Sequence, residues 1–169
     1  MNNTTKSIIG AVLGLLVLVL GWGGMSYSSA QGAVQQAWLT MSEKVIEEGK
    51  MMTTLLDNLP QDAQISPDGK AKFSEGLRRL SSGKDQFDQA MGAGDMMKGV
   101  ELVLADIEKN PSVLSAVAAQ YEPLKKVSTE VQNLKKNYID KAFAQQKSLN
   151  DFPSTIWANI FGAQAYPGI

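Results

Sequence analysis

Apolar residues form one unbroken run near the N-terminus. Ile8 to Met25 reads IIGAVLGLLVLVLGWGGM, and no charged side chain occurs between Lys6 and Glu43. A helix rises about 1.5 Å per residue, so this run would extend about 27 Å, close to the ~30 Å hydrocarbon core of a bilayer. The pattern predicts a single transmembrane helix, with residues 1–28 as N-terminal tail and membrane anchor.

Small and aromatic residues within the run suit a membrane setting. Gly10 and Gly14 have the GxxxG spacing that lets two membrane helices approach closely, and Trp22 suits the aromatic belt at a membrane interface. A signal peptide cleaved near Ser28-Ser29-Ala30 is the alternative, but the run is longer than the usual apolar core of such a peptide. The predicted anchor residues are Ile8, Gly10, Gly14, Leu18 and Trp22.

The side of the membrane on which the remaining chain lies depends on one charge. Lys6 is the only basic side chain before Lys44, and basic residues favour the cytoplasmic side. We therefore expect a single-pass protein of the bacterial inner membrane, with the domain outside the cytoplasm as the first choice and the opposite side left open.

Beyond the run, apolar residues recur three and four positions apart, which is the spacing of one helix face. Ser66-Pro67 and Asn110-Pro111 each place a cap residue before a proline, which predicts two helix starts. We expect a break at residues 92–94, a helix capped by Asp95, and a last helix of about 40 residues that ends near Asn150. The predicted fold is all-α, an antiparallel, coiled-coil-like helical bundle over residues 29–169 behind the anchor.

Composition excludes most catalytic chemistry. The chain has no histidine and no cysteine, which removes imidazole and thiolate nucleophiles and the usual zinc and haem ligands. From residue 43 onward acidic side chains slightly outnumber basic ones, so no basic patch is available for nucleic acid. We predict no enzyme activity, no catalytic residue, no metal and no cofactor.

One carboxyl group lies where the helical pattern calls for an apolar side chain. Glu48 occupies a seam position of the first helix, beside Glu47 and Gly49. We expect an ion pair with Arg78 or Arg79, which would lie about level with it across a helical hairpin. A functional carboxylate is the alternative.

The C-terminal segment is unusually rich in aromatic side chains. We expect a short helix at about residues 153–162, which either folds back on the bundle or is offered to a partner or a membrane. The candidate interaction surface comprises Trp38, Tyr138, Phe152, Pro153, Trp157 and Phe161.

Four motifs follow one another along the chain: Ala37-Trp38 with Met41 and Val45, the segment Tyr121-Glu122-Pro123-Leu124-Lys125, Tyr138, and Phe152-Pro153-Ser154 through Ala158 to Phe161-Gly162. In this order, behind an apolar N-terminus, they resemble the LemA family of bacterial membrane proteins. The family's basic run falls on residues 47–56, where Glu47 and Glu48 replace its two arginines. The resemblance implies an antiparallel bundle on a single-span anchor, no known catalytic activity and a role in membrane organisation.

These patterns together predict a non-catalytic scaffold at the bacterial membrane surface. Its expected partners are the lipid bilayer, further copies of itself and other membrane proteins, with no nucleic acid. The alternative is a ligand-sensing or adaptor bundle that regulates a partner protein of the cell envelope.

Overall fold

The fold is known from a computed structural model that describes the backbone of residues 3–150 and the side chains of residues 18, 24, 25 and 28–147. These residues form the helices α1 (Asn3–Asp57), α2 (Pro67–Ser82), α3 (Gln86–Glu108) and α4 (Pro111–Asn150). Residues 3–150 contain no strand, in agreement with the all-α part of the predicted fold. Two compact units are present, one of residues 37–139 and one of residues 3–36 with 140–150.

The predicted transmembrane helix is contradicted. Within the part of the chain that the structure describes, no helix has a stretch both long and apolar enough to cross a membrane. Further along α1, buried and exposed side chains alternate on a helical period, since Val45 and Met52 are buried while Glu43 and Lys50 are exposed. A spanning helix would need an apolar surface on every face over about 20 residues.

The same finding contradicts the expectation of a single-pass inner-membrane protein. Among the predicted anchor residues, Leu18 has a described side chain, which is 74 % exposed. The side chains of Ile8, Gly10, Gly14 and Trp22 lie outside the described set, although all four residues belong to α1. The predicted helix at about residues 153–162 also lies outside the described residues.

Helices α1 and α4 pack antiparallel within the unit of residues 37–139. The Trp38 and Tyr138 ring centroids lie 5.7 Å apart, and Lys44 Nζ lies 3.3 Å from Glu130 Oε2. Residues later in α1 contact residues earlier in α4, so the two helices run in opposite directions. The apolar positions of this seam are buried and recur three, four or seven apart: Trp38, Met41, Val45, Met52 and Leu55 on α1, and Val117, Tyr121, Leu124, Val131 and Tyr138 on α4.

Helices α2 and α3 form a second antiparallel pair, in which glycines replace side chains at the interface. A Cβ atom at Gly76 would lie 2.2 Å from the Met96 backbone nitrogen, and one at Gly99 would lie 2.3 Å from the Phe73 nitrogen. Real Cβ contacts are never this short. The two helix backbones are therefore in direct contact, which only glycine permits.

The break between α2 and α3 is earlier than the sequence pattern predicts. Helix α2 ends at Ser82, and Asp85 caps α3 by accepting a hydrogen bond from the Asp88 backbone N–H at 2.9 Å. The predicted break at residues 92–94 was wrong, because Gly92 serves close helix packing inside α3 and does not end a helix. The predicted starts at Pro67 and Pro111 are confirmed.

Candidate functional site

An exposed apolar stripe on α1 is the first candidate for a functional surface. Leu39 is 49 % exposed and Ile46 is 43 % exposed, and Thr53, seven residues further on, is exposed as well. Seven residues are close to two helical turns, so these side chains lie along one line. The stripe therefore shows apolar side chains on a face that the buried seam does not use.

A shallow groove between α1 and α2 borders this stripe. It has a volume of about 210 Å³, and its lining is mostly apolar: Ile46, Gly49, Lys50, Thr53, Leu77, Leu80 and Ser81. Gly49 brings the two helices together here, since a Cβ atom on it would lie 3.3 Å from Leu77 Cδ1. The groove widens the apolar surface that begins at Leu39 and Ile46.

Two opposite charges flank the stripe at a separation of seven residues. Glu43 and Lys50 are both exposed. Neither forms an ion pair with a residue that the structure describes, whereas the neighbouring Lys44 contacts both Glu47 and Glu130. Glu43 and Lys50 are thus available to charges outside this unit.

Glu48 is the second candidate, a carboxyl group buried without compensation. Its side chain is fully buried, and neither carboxylate oxygen has a hydrogen-bond partner among the described residues. Burial raises the pKa of Glu48 from 4.5 to about 7, and the nearby Ser128 hydroxyl lowers it by a smaller amount. Ser128 lies close enough to affect the charge, but it does not meet hydrogen-bond geometry with either oxygen.

The expected ion pair between Glu48 and an arginine is absent among the described side chains. Arg78 Nη2 lies 2.7 Å from Glu75 Oε1, and Arg79 contacts Glu75 and Asp95 at 3.1 and 3.5 Å. Both arginines find acidic partners on the exposed surface, one of them a single turn away on their own helix. Glu48 lies inside the seam, where no described side chain forms an ion pair with it.

A polar groove between α3 and α4 includes Ser128, the residue whose hydroxyl lies near Glu48. Its lining consists of Glu101, Lys125, Ser128, Thr129 and Gln132, and its volume is about 290 Å³. At the same helix pair, Glu108 accepts hydrogen bonds from Tyr121 and, at 2.7 Å, from Lys125. These bonds, with that from Lys125 the strongest, lower the pKa of Glu108. The groove offers hydroxyl, amide and charged groups to a polar ligand.

The structure separates the predicted interaction residues. Trp38 and Tyr138 are buried against each other, with 6 % and 0 % exposure, so they belong to the core and not to a free surface. Phe152, Pro153, Trp157 and Phe161 lie outside the described residues. The apolar pattern of the sequence did not identify the exposed residues Leu39 and Ile46. Each directly follows a core residue, Trp38 or Val45, and their spacing of seven is the signal that could have revealed them.

The described residues provide no cluster of metal ligands. Among residues 3–150 with described side chains, no group of three acidic residues could hold a metal ion. No family model matches the chain, and neither does any curated protein or solved structure. Functional inference therefore rests on the chain's own residues.

Proposed function

We propose that this chain is a non-catalytic helical scaffold, which self-associates or recruits a partner protein through exposed apolar side chains. The observation that carries the proposal is the exposed stripe at Leu39 and Ile46 beside an apolar groove. Large apolar side chains that remain in water at regular helical spacing are typical of a surface that another protein covers. Membership of the LemA family stays a prediction that is compatible with this role.

Other exposed apolar side chains provide a comparison within the same chain. Phe87 is 57 % exposed and Met91 is 41 % exposed, one turn apart near the start of α3. Unlike Glu43 and Lys50, the charged residues seven apart beside them, Asp88 and Asp95, have the same sign. The α1 stripe is therefore the better candidate for a specific contact.

Mass measurement of the full-length protein tests the proposal. The chain would be purified in a mild non-ionic detergent, because residues 8–25 form a continuous apolar run, and its mass followed by light scattering over a range of concentrations. We expect an oligomer or a co-purifying protein with the wild type, and loss of that association in L39S/I46S. The control F87S/M91S removes a similar apolar area and should retain it. A wild-type monomer without a partner would contradict the proposal.

A ligand-sensing bundle is the second candidate, and one observation favours it. Ser128 lines the polar groove between α3 and α4 and also influences the pKa of the buried Glu48. A small polar ligand in the groove could thus alter the charge inside the bundle. Thermal stabilisation of the wild type by such a ligand, with a reduced shift in E48Q, would support this function.

A further inference from the structure

We propose that the stripe on α1 binds the same stripe of a second copy of this chain, with the two α1 helices antiparallel and crossing at Ile46. The inference rests on the proposed scaffold function and names its partner, since it commits to self-association through one surface. It follows from three features. These are the line of exposed side chains, the symmetric spacing of that line about Ile46, and the two charges beside it that form no ion pair with a described residue.

The first feature is the position of the residues around the helix. At about 100° per residue, Leu39, Ile46 and Thr53 fall within roughly 40° of one another. Glu43 and Lys50 lie on the same flank of this line, at roughly 40–60° from Ile46. All of these residues are exposed, so the face is open from Leu39 to Thr53.

The second feature is the symmetry of the pattern about Ile46. A twofold interface must be complementary to itself, so that each contact occurs twice. In an antiparallel pair that crosses at Ile46, this side chain meets its own copy, and Leu39 of one protomer lies level with Thr53 of the other. The apolar groove beside Ile46 and Gly49 gives room for the approaching side chains.

The third feature is the charge pattern. In the same arrangement Glu43 of one protomer lies level with Lys50 of the other, and the twofold axis repeats the pair. In a parallel twofold arrangement this flank of one protomer would lie on the opposite side of the interface from the same flank of the other, so Glu43 and Lys50 would form no such contacts. The two charges without described partners therefore select the antiparallel dimer over the parallel one.

Charge reversal provides the decisive test. Dimerisation of the full-length protein in mild detergent would be measured by analytical ultracentrifugation for E43K, K50E and E43K/K50E. Each single reversal replaces two attractive contacts with two repulsive ones, and we expect a dissociation constant weaker on the order of ten-fold. The double reversal restores the opposite charges and should return the constant to near the wild-type value. Added salt should weaken the wild type and strengthen the single variants.

Matched reversals on α4 control for net charge. Glu122 and Lys126 are exposed and form no ion pair with a described residue, so E122K and K126E change the net charge by the same amounts. Both should dimerise like the wild type. Equal weakening by all four single reversals would indicate a general charge effect and would overturn the proposed interface.

Cysteine cross-linking tests the direction of the helices. Because the chain has no cysteine, I46C and L39C each introduce a single thiol. In the antiparallel dimer the two Ile46 positions meet, whereas the two Leu39 positions are about 21 Å apart along the axis. We expect a disulfide dimer for I46C and none for L39C. Cross-linking of both would indicate a parallel pair and would contradict the proposal.

The two proposals fail in distinguishable ways. If the wild type is monomeric and has no partner, both the scaffold function and this interface are wrong. If the wild type associates but the single reversals have no effect, or the double reversal does not restore association, only the α1 interface is wrong.

Discussion

Two helix pairs in the unit of residues 37–139 are held together by opposite means. Between α1 and α4, large side chains fill the seam, and the rings of Trp38 and Tyr138 lie 5.7 Å apart. Between α2 and α3, glycines let the backbones touch, and a Cβ atom at Gly92 would lie 2.5 Å from the Leu80 nitrogen. The first pair depends on side-chain volume, whereas the second depends on the absence of side chains.

This difference affects how each pair tolerates polar groups. The α1–α4 seam buries the carboxyl group of Glu48, which has no hydrogen-bond partner among the described residues. The α2–α3 pair instead has a polar contact at one end, where Asp106 Oδ2 accepts a hydrogen bond from the Ser66 backbone N–H at 3.0 Å. We therefore expect the stability of the α1–α4 pair to depend strongly on pH, and the stability of the α2–α3 pair to depend mainly on close backbone packing.

Removal of the Trp38 ring from the α1–α4 seam should have the largest effect on stability. Trp38 is 6 % exposed, and truncation of a buried Trp leaves a cavity, so W38A should lower the free energy of unfolding by about 4 kcal/mol. Chemical denaturation would measure the loss. The neighbouring L39A removes an exposed side chain and should cost less than about 0.5 kcal/mol. Equal losses for the two variants would contradict the assignment of Trp38 to the core.

The charge of Glu48 should make the stability of this seam depend on pH. The pKa of Glu48 is about 7 in the folded protein and 4.5 in the reference state. Because the folded state holds the proton more tightly, stability is fully retained below about pH 4.5 and falls as the pH rises through 7. The difference of about 2.5 pH units corresponds to about 3 kcal/mol.

Neutral substitution isolates this contribution. E48Q cannot ionise, so its stability relative to the wild type should improve by about 3 kcal/mol between pH 4 and pH 8. E47Q removes an exposed carboxyl group one residue away and should leave the wild-type pH profile in place. Denaturation midpoints across this range would provide the measurement, and parallel profiles for E48Q and the wild type would show that Glu48 is not buried as a charge.

The sequence predicts the α1–α4 pair far better than the α2–α3 pair. Apolar spacing identified Trp38, Met41 and Val45 on one helix face, because side-chain burial produces the pattern that sequence reading detects. The glycines of the second pair were read as a break at residues 92–94, since glycine most often ends a helix. Whether a glycine ends a helix or admits a neighbouring backbone depends on a residue distant in sequence.

The candidate site was predictable only in part, for a related reason. The sequence predicts Glu48 as a polar residue in an apolar seam, but the expected ion pair with Arg78 or Arg79 is absent among the described side chains. Arg78 and Arg79 satisfy their charges locally with Glu75, and local pairs on a helix form at low entropic cost. The exposure of Leu39 and Ile46 depends on which face α2 covers, which the pattern of one helix does not specify.

The α2–α3 pair should be disrupted by the smallest added side chain. In G76A the new Cβ atom would lie 2.2 Å from one backbone atom and 2.6 Å from another, both of Met96, so the helices must separate. Overpacking of this kind lowers stability by about 1–3 kcal/mol. The higher helix propensity of Ala offsets about 1 kcal/mol of that loss. We expect a net loss of up to about 2 kcal/mol in chemical denaturation.

The chain contains a matched control for this substitution. A Cβ atom at Gly32, also within a helix, would meet nothing within 4 Å. G32A should therefore gain about 0.5–1 kcal/mol from helix preference alone. If both variants gained stability, the direct backbone contact at Gly76 would be wrong.

The end contact of the α2–α3 pair should give the smallest effect and the opposite dependence on pH. The Ser66 backbone N–H, with a smaller contribution from Lys109, lowers the pKa of Asp106 below its usual value of 3.8. The stabilisation is therefore present above about pH 4 and is lost as the pH falls through the folded-state pKa. D106A should lower stability by about 1 kcal/mol at neutral pH, as the loss of a helix cap does. The cost of D106A should shrink in acid, because protonated Asp106 no longer stabilises the fold. Acid also removes the unfavourable charge of Glu48, so low pH should affect the two helix pairs in opposite directions. A cost of D106A that grew in acid would contradict this account.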